Sequence, residues 1–331
     1  MNRGRMVIAA AGLVLVGVAF YRLASLEILD QLRSLPAALA IVVVGGALRL
    51  WVQTRAWRTA LLTDGIEAPQ SRLAGIRLAA QASGFLAAGG SVVAEPAKLL
   101  LLRESADISK TAPATLVETS TYWLTTVILG LAGTAAAALL IPGSQVVWLS
   151  AGVFTASFVF LAAPGALLSP VLRWAGPKAP RWLRSAERTE VLVRSFRERR
   201  PGSARSIFAI EASAQVVTLA EVAAVMWVIG VHVSPLQILA IESAGRLVKV
   251  LAAWIPGRLG IDEGGAAASF SLLGLPAGAG LALAVARRVR DLLFALAGAA
   301  WAAWASGSVR SQDGGATANL DVLEGALTCK R

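Results

Sequence analysis

The sequence predicts an all-α, polytopic integral membrane protein, and three observations carry that prediction. Of 331 residues, 56% are hydrophobic and only 15% charged, with a mean hydropathy of +0.66. A soluble domain of this length needs more polar surface to cover its core. Uncharged apolar stretches recur at the length, about 20 residues, that a helix needs to cross a hydrocarbon layer. They are continuous runs of Ala, Leu, Val and Gly, without the alternation of an outer-membrane strand.

A net charge of +11 could suggest nucleic acid, but its distribution argues otherwise. Residues 173–205 hold ten Lys or Arg and three Glu, a net of +7, and the rest of the chain carries only +4. A basic loop between spans is the signature of a cytoplasmic loop, and anionic lipid headgroups are its natural electrostatic partner. No nucleic-acid partner is expected. Cys329 is the only cysteine and His232 the only histidine. An intrachain disulfide is therefore impossible, a His/Cys zinc site cannot be assembled, and no metal or cofactor is expected.

About six full spans emerge in order. Arg3 and Arg5 put the N-terminus in the cytoplasm. The span over about 6–24 is read as retained, being longer than a signal-peptide core and followed by no A-x-A-like cleavage site. Leu26, Leu29, Leu32 and Leu35 mark a short amphipathic piece. Pro36 opens a second span that ends at Arg49, Arg55, Trp57 and Arg58, residue types that anchor at the interface. A third span over about 114–140 stops at Pro142-Gly143. A fourth over about 145–172 carries a kink at Pro164-Gly165 and lands on the basic loop. There Trp182, Ala186, Thr189, Val193 and Phe196 recur at helical steps, which predicts a surface-lying helix. A fifth span covers about 207–231 and a sixth about 278–305. Residues 306–331 read as a polar, disordered cytoplasmic tail.

Two segments depart from this pattern. The stretch 72–103 is apolar but broken by Gly84, Gly89 and Gly90 and contains Glu95, Pro96 and Lys98, with basic residues on both flanks. The stretch 236–273 carries Glu242, Arg246 and Lys249, then Pro256-Gly257-Arg258-Leu259-Gly260-Ile261-Asp262-Glu263. Each reads as a broken or re-entrant hairpin with irregular backbone lining a cavity. Parity opens the first hairpin to the cytoplasm and the second outward, an inverted-repeat arrangement. One domain over 1–305 results, with halves of about 1–143 and 206–305 joined through the loop 173–205. Read instead as ordinary loops, the same charges would simply face water.

The candidate chemistry follows the charges. Gly89 and Gly90 let the chain turn, and Pro96 suits the first turn of a half-helix whose free N–H groups could meet a phosphate. Glu95 and Lys98, three residues apart, can pair. Asp262 and Glu263 lie between apolar runs with Arg258 or Arg246 as partners. Pro256, Gly257 and Gly260 shape that second turn. Arg287, Arg288 and Arg290 cannot all face lipid, since each costs about 2.5–3.5 kcal/mol at the bilayer centre. Asp291 is placed to hold Arg288. Glu118, Glu211, Glu221 and Glu242 are the remaining intramembrane acids, with structural pairing as the simplest role for each.

Three stretches together resemble a known family, the flippase-like membrane domain of lysylphosphatidylglycerol synthases and multiple peptide resistance factors. That family includes stand-alone members, some encoded beside hopanoid genes. Arg55-Ala56-Trp57-Arg58-Thr59-Ala60-Leu61-Leu62 is similar to its R-W-x-x-L-L helix ending. Val93-Ala94-Glu95-Pro96-Ala97-Lys98-Leu99-Leu100 is similar to its G-G-E-x-x-R-x-x-L-L element, with Ala94 for Gly and Lys98 for Arg. Pro256 to Gly264 is similar to its P-G-G-L-G-x-x-E-G element, and Arg287 or Arg288 matches an arginine of the last helix. The resemblance spans about 6–305 and implies movement of a lipid between leaflets of a bacterial inner membrane, with both hairpins shaping an amphipathic cavity.

On that reading Glu95, Lys98, Arg246, Arg258, Asp262, Glu263, Arg287 and Arg288 surround the headgroup of a phospholipid, aminoacyl-phospholipid or polyisoprenoid-type lipid. A cytoplasmic synthase and a second copy of the chain are conceivable protein partners. Full synthases carry a soluble aminoacyltransferase domain after the helices. Here about 25 polar residues follow Ala305, too few for a catalytic core, so the chain is expected not to be an enzyme. The alternatives are a membrane enzyme acting on a lipid phosphate and a non-transporting lipid-binding partner of a synthase.

Overall fold

Apolar runs free of internal stops fold as long helices, because in hydrocarbon each backbone N–H and C=O must be satisfied within its own segment. The computed structural model describes residues 35–86, 91–102, 108–162, 191, 193–253, 255, 258 and 260–328, and the regular elements among them are helices. They are α1 (Leu35–Thr63), α2 (Gln70–Leu86), α3 (Ser91–Leu102), α4 (Ile108–Leu140) and α5 (Gln145–Ala162), then α6 (Pro201–Ile229), α7 (Pro235–Leu251), α8 (Ile261–Leu272) and α9 (Ala277–Thr328). The predicted span 6–24, the amphipathic piece after it, the Pro164-Gly165 kink, Gly89, Gly90, Pro256 and Gly257 lie outside the described residues, as do Trp182, Ala186 and Thr189.

Four helices are long and apolar enough to cross a membrane: α1 from Pro36, α4 from Thr111, α5 and α6. Their outward surface is apolar, with Trp148, Trp227, Leu139 and Val44 all exposed, while Glu118, Glu211, Arg77 and Arg290 are buried. That reverses the partition of a water-soluble domain and suits a lipid surround. The first part of α9 is not among the four, because Arg287, Arg288, Arg290 and Asp291 interrupt it. No proline follows Ala277, so the helix meets no obligatory stop and runs on to Thr328.

The halves match in length. Helices α1 and α6 each have 29 residues, α2 and α7 each have 17, and α3 and α8 each have 12. At 1.5 Å per residue, 17 residues reach about 25 Å and 12 reach about 18 Å. Both fall short of the roughly 30 Å hydrocarbon layer.

Two apolar clusters organise these elements. The first joins Trp57 and Leu61 of α1, Leu73 and Ile76 of α2, Leu102 of α3, Val117 of α4 and Ile207 of α6. The second joins Met226 of α6, Ile241 of α7, Phe270 of α8, Leu283 of α9 and Val42 of α1. Val42 and Trp57 are 15 residues apart on one helix, so the clusters sit about 20 Å apart along it. Exchanging α1 with α6, α2 with α7, α3 with α8 and α4 with α9 turns the first cluster into the second. Val193 and Phe196 are buried in the first cluster. These two side chains of the expected surface-lying helix therefore pack on the bundle.

The same exchange relates two close helix crossings. A Cβ on Gly133 of α4 would lie 2.2 Å from the Leu239 carbonyl oxygen of α7, and one on Gly298 of α9 would lie 2.3 Å from the Leu78 carbonyl oxygen of α2. Backbone against backbone cannot yield as a flexible side chain can. Small residues of this kind let membrane helices approach closely. Gly133→Val and Gly298→Val should each destabilise the fold by about 1–3 kcal/mol, seen as a lowered thermal midpoint in detergent. Gly152→Ala, with nothing within 4 Å of the added carbon, should leave that midpoint unchanged.

Candidate functional site

Charge in this bundle is neutralised where helices of different lengths meet. In the first half, Arg77 of α2 and Lys98 of α3 share the Glu118 carboxylate of α4. Arg77 Nη1 lies 2.9 Å from Oε1 and Lys98 Nζ lies 3.4 Å from Oε2. Arg77 Nη1 also donates to the Gln53 carbonyl at 3.1 Å. Lys98 reaches back one turn to Glu95 at 2.8 Å, and Thr119 Oγ1 donates to the same Glu95 oxygen at 2.6 Å. The Lys98 ammonium stands 5.6 Å over the Trp57 ring, within cation–π range. Trp57 in turn donates its indole N–H to Thr115 at 3.0 Å. Trp57 thus floors the site.

The second half is built on α9. Arg287 bridges Glu221 of α6, at 2.8 Å, and Glu242 of α7, at 2.7 Å. Arg290 binds the other Glu221 oxygen at 3.1 Å and Asp291 at 2.9 Å. Gly45 and Gly46 of α1 make room for this pair. A Cβ at Gly46 would come 2.5 Å from Arg290 Cδ, and one at Gly45 3.1 Å from Glu221 Oε2. Arg246 lies 3.6 Å from Glu242 and donates to Gln215 Oε1 at 2.8 Å. Gln215 donates to Thr125 and Thr126 of α4.

The turn before α8 has its own clamp. Gly260 is left-handed at φ +80 and Arg258, a non-glycine, at φ +45, a conformation that costs an ordinary residue energy and persists where its surroundings hold it. Glu263 Oε2 accepts the Gly260 N–H at 2.9 Å, while Oε1 accepts from Arg288 Nε at 3.0 Å. Arg288 Nη2 donates to the Arg258 carbonyl at 3.1 Å. One arginine of α9 therefore holds both the strained residue and the helix cap. Arg258 Nε lies 3.4 Å from Asp262 Oδ2, with 35% of the Arg258 side chain exposed.

Several sequence expectations hold and others change. Glu95 pairs with Lys98 and Arg258 with Asp262, as their spacing suggested. Arg246 does not serve Asp262 or Glu263: four residues past Glu242 on one helix, it pairs there. Asp291 holds Arg290, its chain neighbour, rather than Arg288, which turns to the α8 cap. Pro96 is not in a first turn, since α3 starts at Ser91 and places it inside the helix. The free N–H groups of that helix therefore lie upstream of Pro96. Arg77, Gln53, Gln215 and the Gly45-Gly46 pair were not singled out, because their partners lie 24 or more positions away. The charged side chains meet one another rather than facing an open chamber. A crevice lined by Thr134, Val147, Ser150, Ala240, Ser243 and Leu272 lies apart from both groups.

A family model described as the lysylphosphatidylglycerol synthase TM region matches residues 5–299. No curated protein and no solved structure matches.

Breaking a buried ion pair from one side strands its partner, which costs about 3–5 kcal/mol. Glu118→Ala strands Arg77, while Lys98 keeps Glu95, so a loss of that size is expected in thermal unfolding of the detergent-solubilised protein. Glu198→Ala, whose pair with Arg194 is largely exposed, should change stability by about 0.5 kcal/mol or less.

Proposed function

The chain belongs to the family of the lysylphosphatidylglycerol synthase TM region, and from that premise we propose that it moves a phosphate-bearing lipid between leaflets of a bacterial inner membrane. The lipid is a phospholipid, an aminoacyl-phospholipid or a polyisoprenoid-type lipid, and both chain termini are cytoplasmic. One observation carries the reading. The pair α2 and α3 begins and ends in one apolar cluster, the pair α7 and α8 in the cluster at the other end of α1, and both deliver charge to the interior between them. Helices of 17 and 12 residues that return to the end they came from support a re-entrant reading, and the exchange of elements between halves supports an inverted repeat.

Each hairpin then offers one ion pair that a headgroup can open. In the first it is Lys98–Glu95, with 30% of the Glu95 side chain exposed. In the second it is Arg258–Asp262, with 35% and 22% exposed. A phosphate displaces the carboxylate and takes the cation, arginine being suited to it through its planar fork. Acyl or isoprenoid tails stay in lipid throughout. Behind these exchangeable pairs, Arg77–Glu118, Arg287–Glu242 and Arg288–Glu263 keep the hairpins seated while the front pairs change partners.

Translocation of a fluorescent phospholipid in proteoliposomes tests this, and a rate no greater than in empty vesicles would sink the proposal. Arg258→Ala should lower the rate by about tenfold or more, the worth of one charge-assisted contact of about 1.5–3 kcal/mol. Its folded yield should be unchanged. Phosphate release from a lipid pyrophosphate would point instead to a membrane enzyme.

A further inference from the structure

One buried acid stands outside the pairing scheme. Glu211 of α6 is completely buried, and neither of its carboxyl oxygens reaches a hydrogen-bond partner at ordinary geometry, although Gln53 of α1 lies beside it. It faces Glu118 of α4, Arg77 of α2 and Lys98 of α3. Those two cations are already balanced by Glu118 and Glu95. An ionised Glu211 would add an uncompensated negative charge, beside a like charge, in a site with no water contact.

Glu211 also begins a polar stripe along α6. Gln215, Thr218 and Glu221 follow at helical spacing on the same buried face. From α7, Arg246 meets this stripe at Gln215. From α9, Arg287 and Arg290 meet it at Glu221. Ten residues separate the two acids, about 15 Å along the helix. Glu221 has two arginine partners, whereas Glu211 has none of its own among the described residues.

We propose that Glu211 is a proton-binding site whose exchange of one proton re-pairs the first charge cluster and couples lipid movement to a proton gradient. With Glu211 protonated, Arg77 and Lys98 close on Glu118. When the cluster opens far enough for a water to reach Glu211, its O–H bond breaks, the proton passes to that water, and the new carboxylate competes with Glu118 for Arg77 or Lys98. A loosened Lys98 frees its front-side partner, Glu95. The coupling rests on the translocation reading above; the proton site does not.

Infrared titration of the protein in lipid nanodiscs reads the site directly. A protonated-carboxyl C=O band should be present at neutral pH, disappear on raising the pH, and be absent from Glu211→Gln. Glu211→Asp, which keeps a titratable group, guards against a misfolded Gln variant and should retain a displaced band. A band that survives in folded Glu211→Gln, or no such band in the native protein, overturns the proposal. In proteoliposomes an imposed gradient should bias fluorescent-lipid distribution by up to about tenfold per pH unit for one proton. Glu211→Gln should lose that gradient-dependent component. A Glu211 band combined with lipid movement indifferent to the gradient refutes the coupling. If the native protein moves no lipid at all, the translocation reading fails, while the infrared result still decides the proton site.

Discussion

A charge in hydrocarbon must find its counter-charge inside the fold, and this structure is arranged around that requirement. Arg77, Arg287, Arg288 and Arg290 sit on helices surrounded by apolar sequence, and each is met by a carboxylate from a different element or from its own helix. Such pairs add little stability against an apolar alternative, because desolvation offsets most of the attraction. What they supply is register. Glu118 pins α2 and α3 to α4, Arg287 ties α6 and α7 to α9, and Arg288 fastens the turn before α8. A slip of one residue along any of these helices would leave a full charge unpaired.

Register also explains the small residues. Ion pairs of 2.7–3.1 Å between separate helices require the helix axes to be close. Gly45 and Gly46 let α1 lie against the Arg290–Glu221 pair, while Gly133 and Gly298 bring backbones together at the two crossings. Lipid supplies no hydrophobic force to push helices together. Close packing and buried ion pairs carry the association instead, and each makes the other achievable.

Membrane class and the positions of the described long helices were legible because they depend on local pattern: apolar run length, Pro and Gly breaks, and charges inside apolar context. Pairs within one or two turns, Glu95–Lys98 and Arg258–Asp262, were legible for the same reason. The misassigned partners share a cause. Arg246 and Asp291 each had several acids or bases within reach in sequence, and helix facing decided among them. Pro96 was placed in a first turn because proline favours that position, whereas the helix starts upstream and tolerates it inside.

Composition and periodicity therefore determined that this chain is a helical membrane protein whose charged residues gather in two Gly/Pro-interrupted segments and one basic stretch of sequence. Tertiary structure alone decided which acid meets which base, that α2 with α3 and α7 with α8 start and finish at apolar clusters at opposite ends of α1, and that Glu211 has no hydrogen-bond partner among the described residues. The reason is physical: run length and spacing act within one helix, while ion pairing deep in a bundle depends on the rotation and depth of several helices at once. That information appears only when they pack.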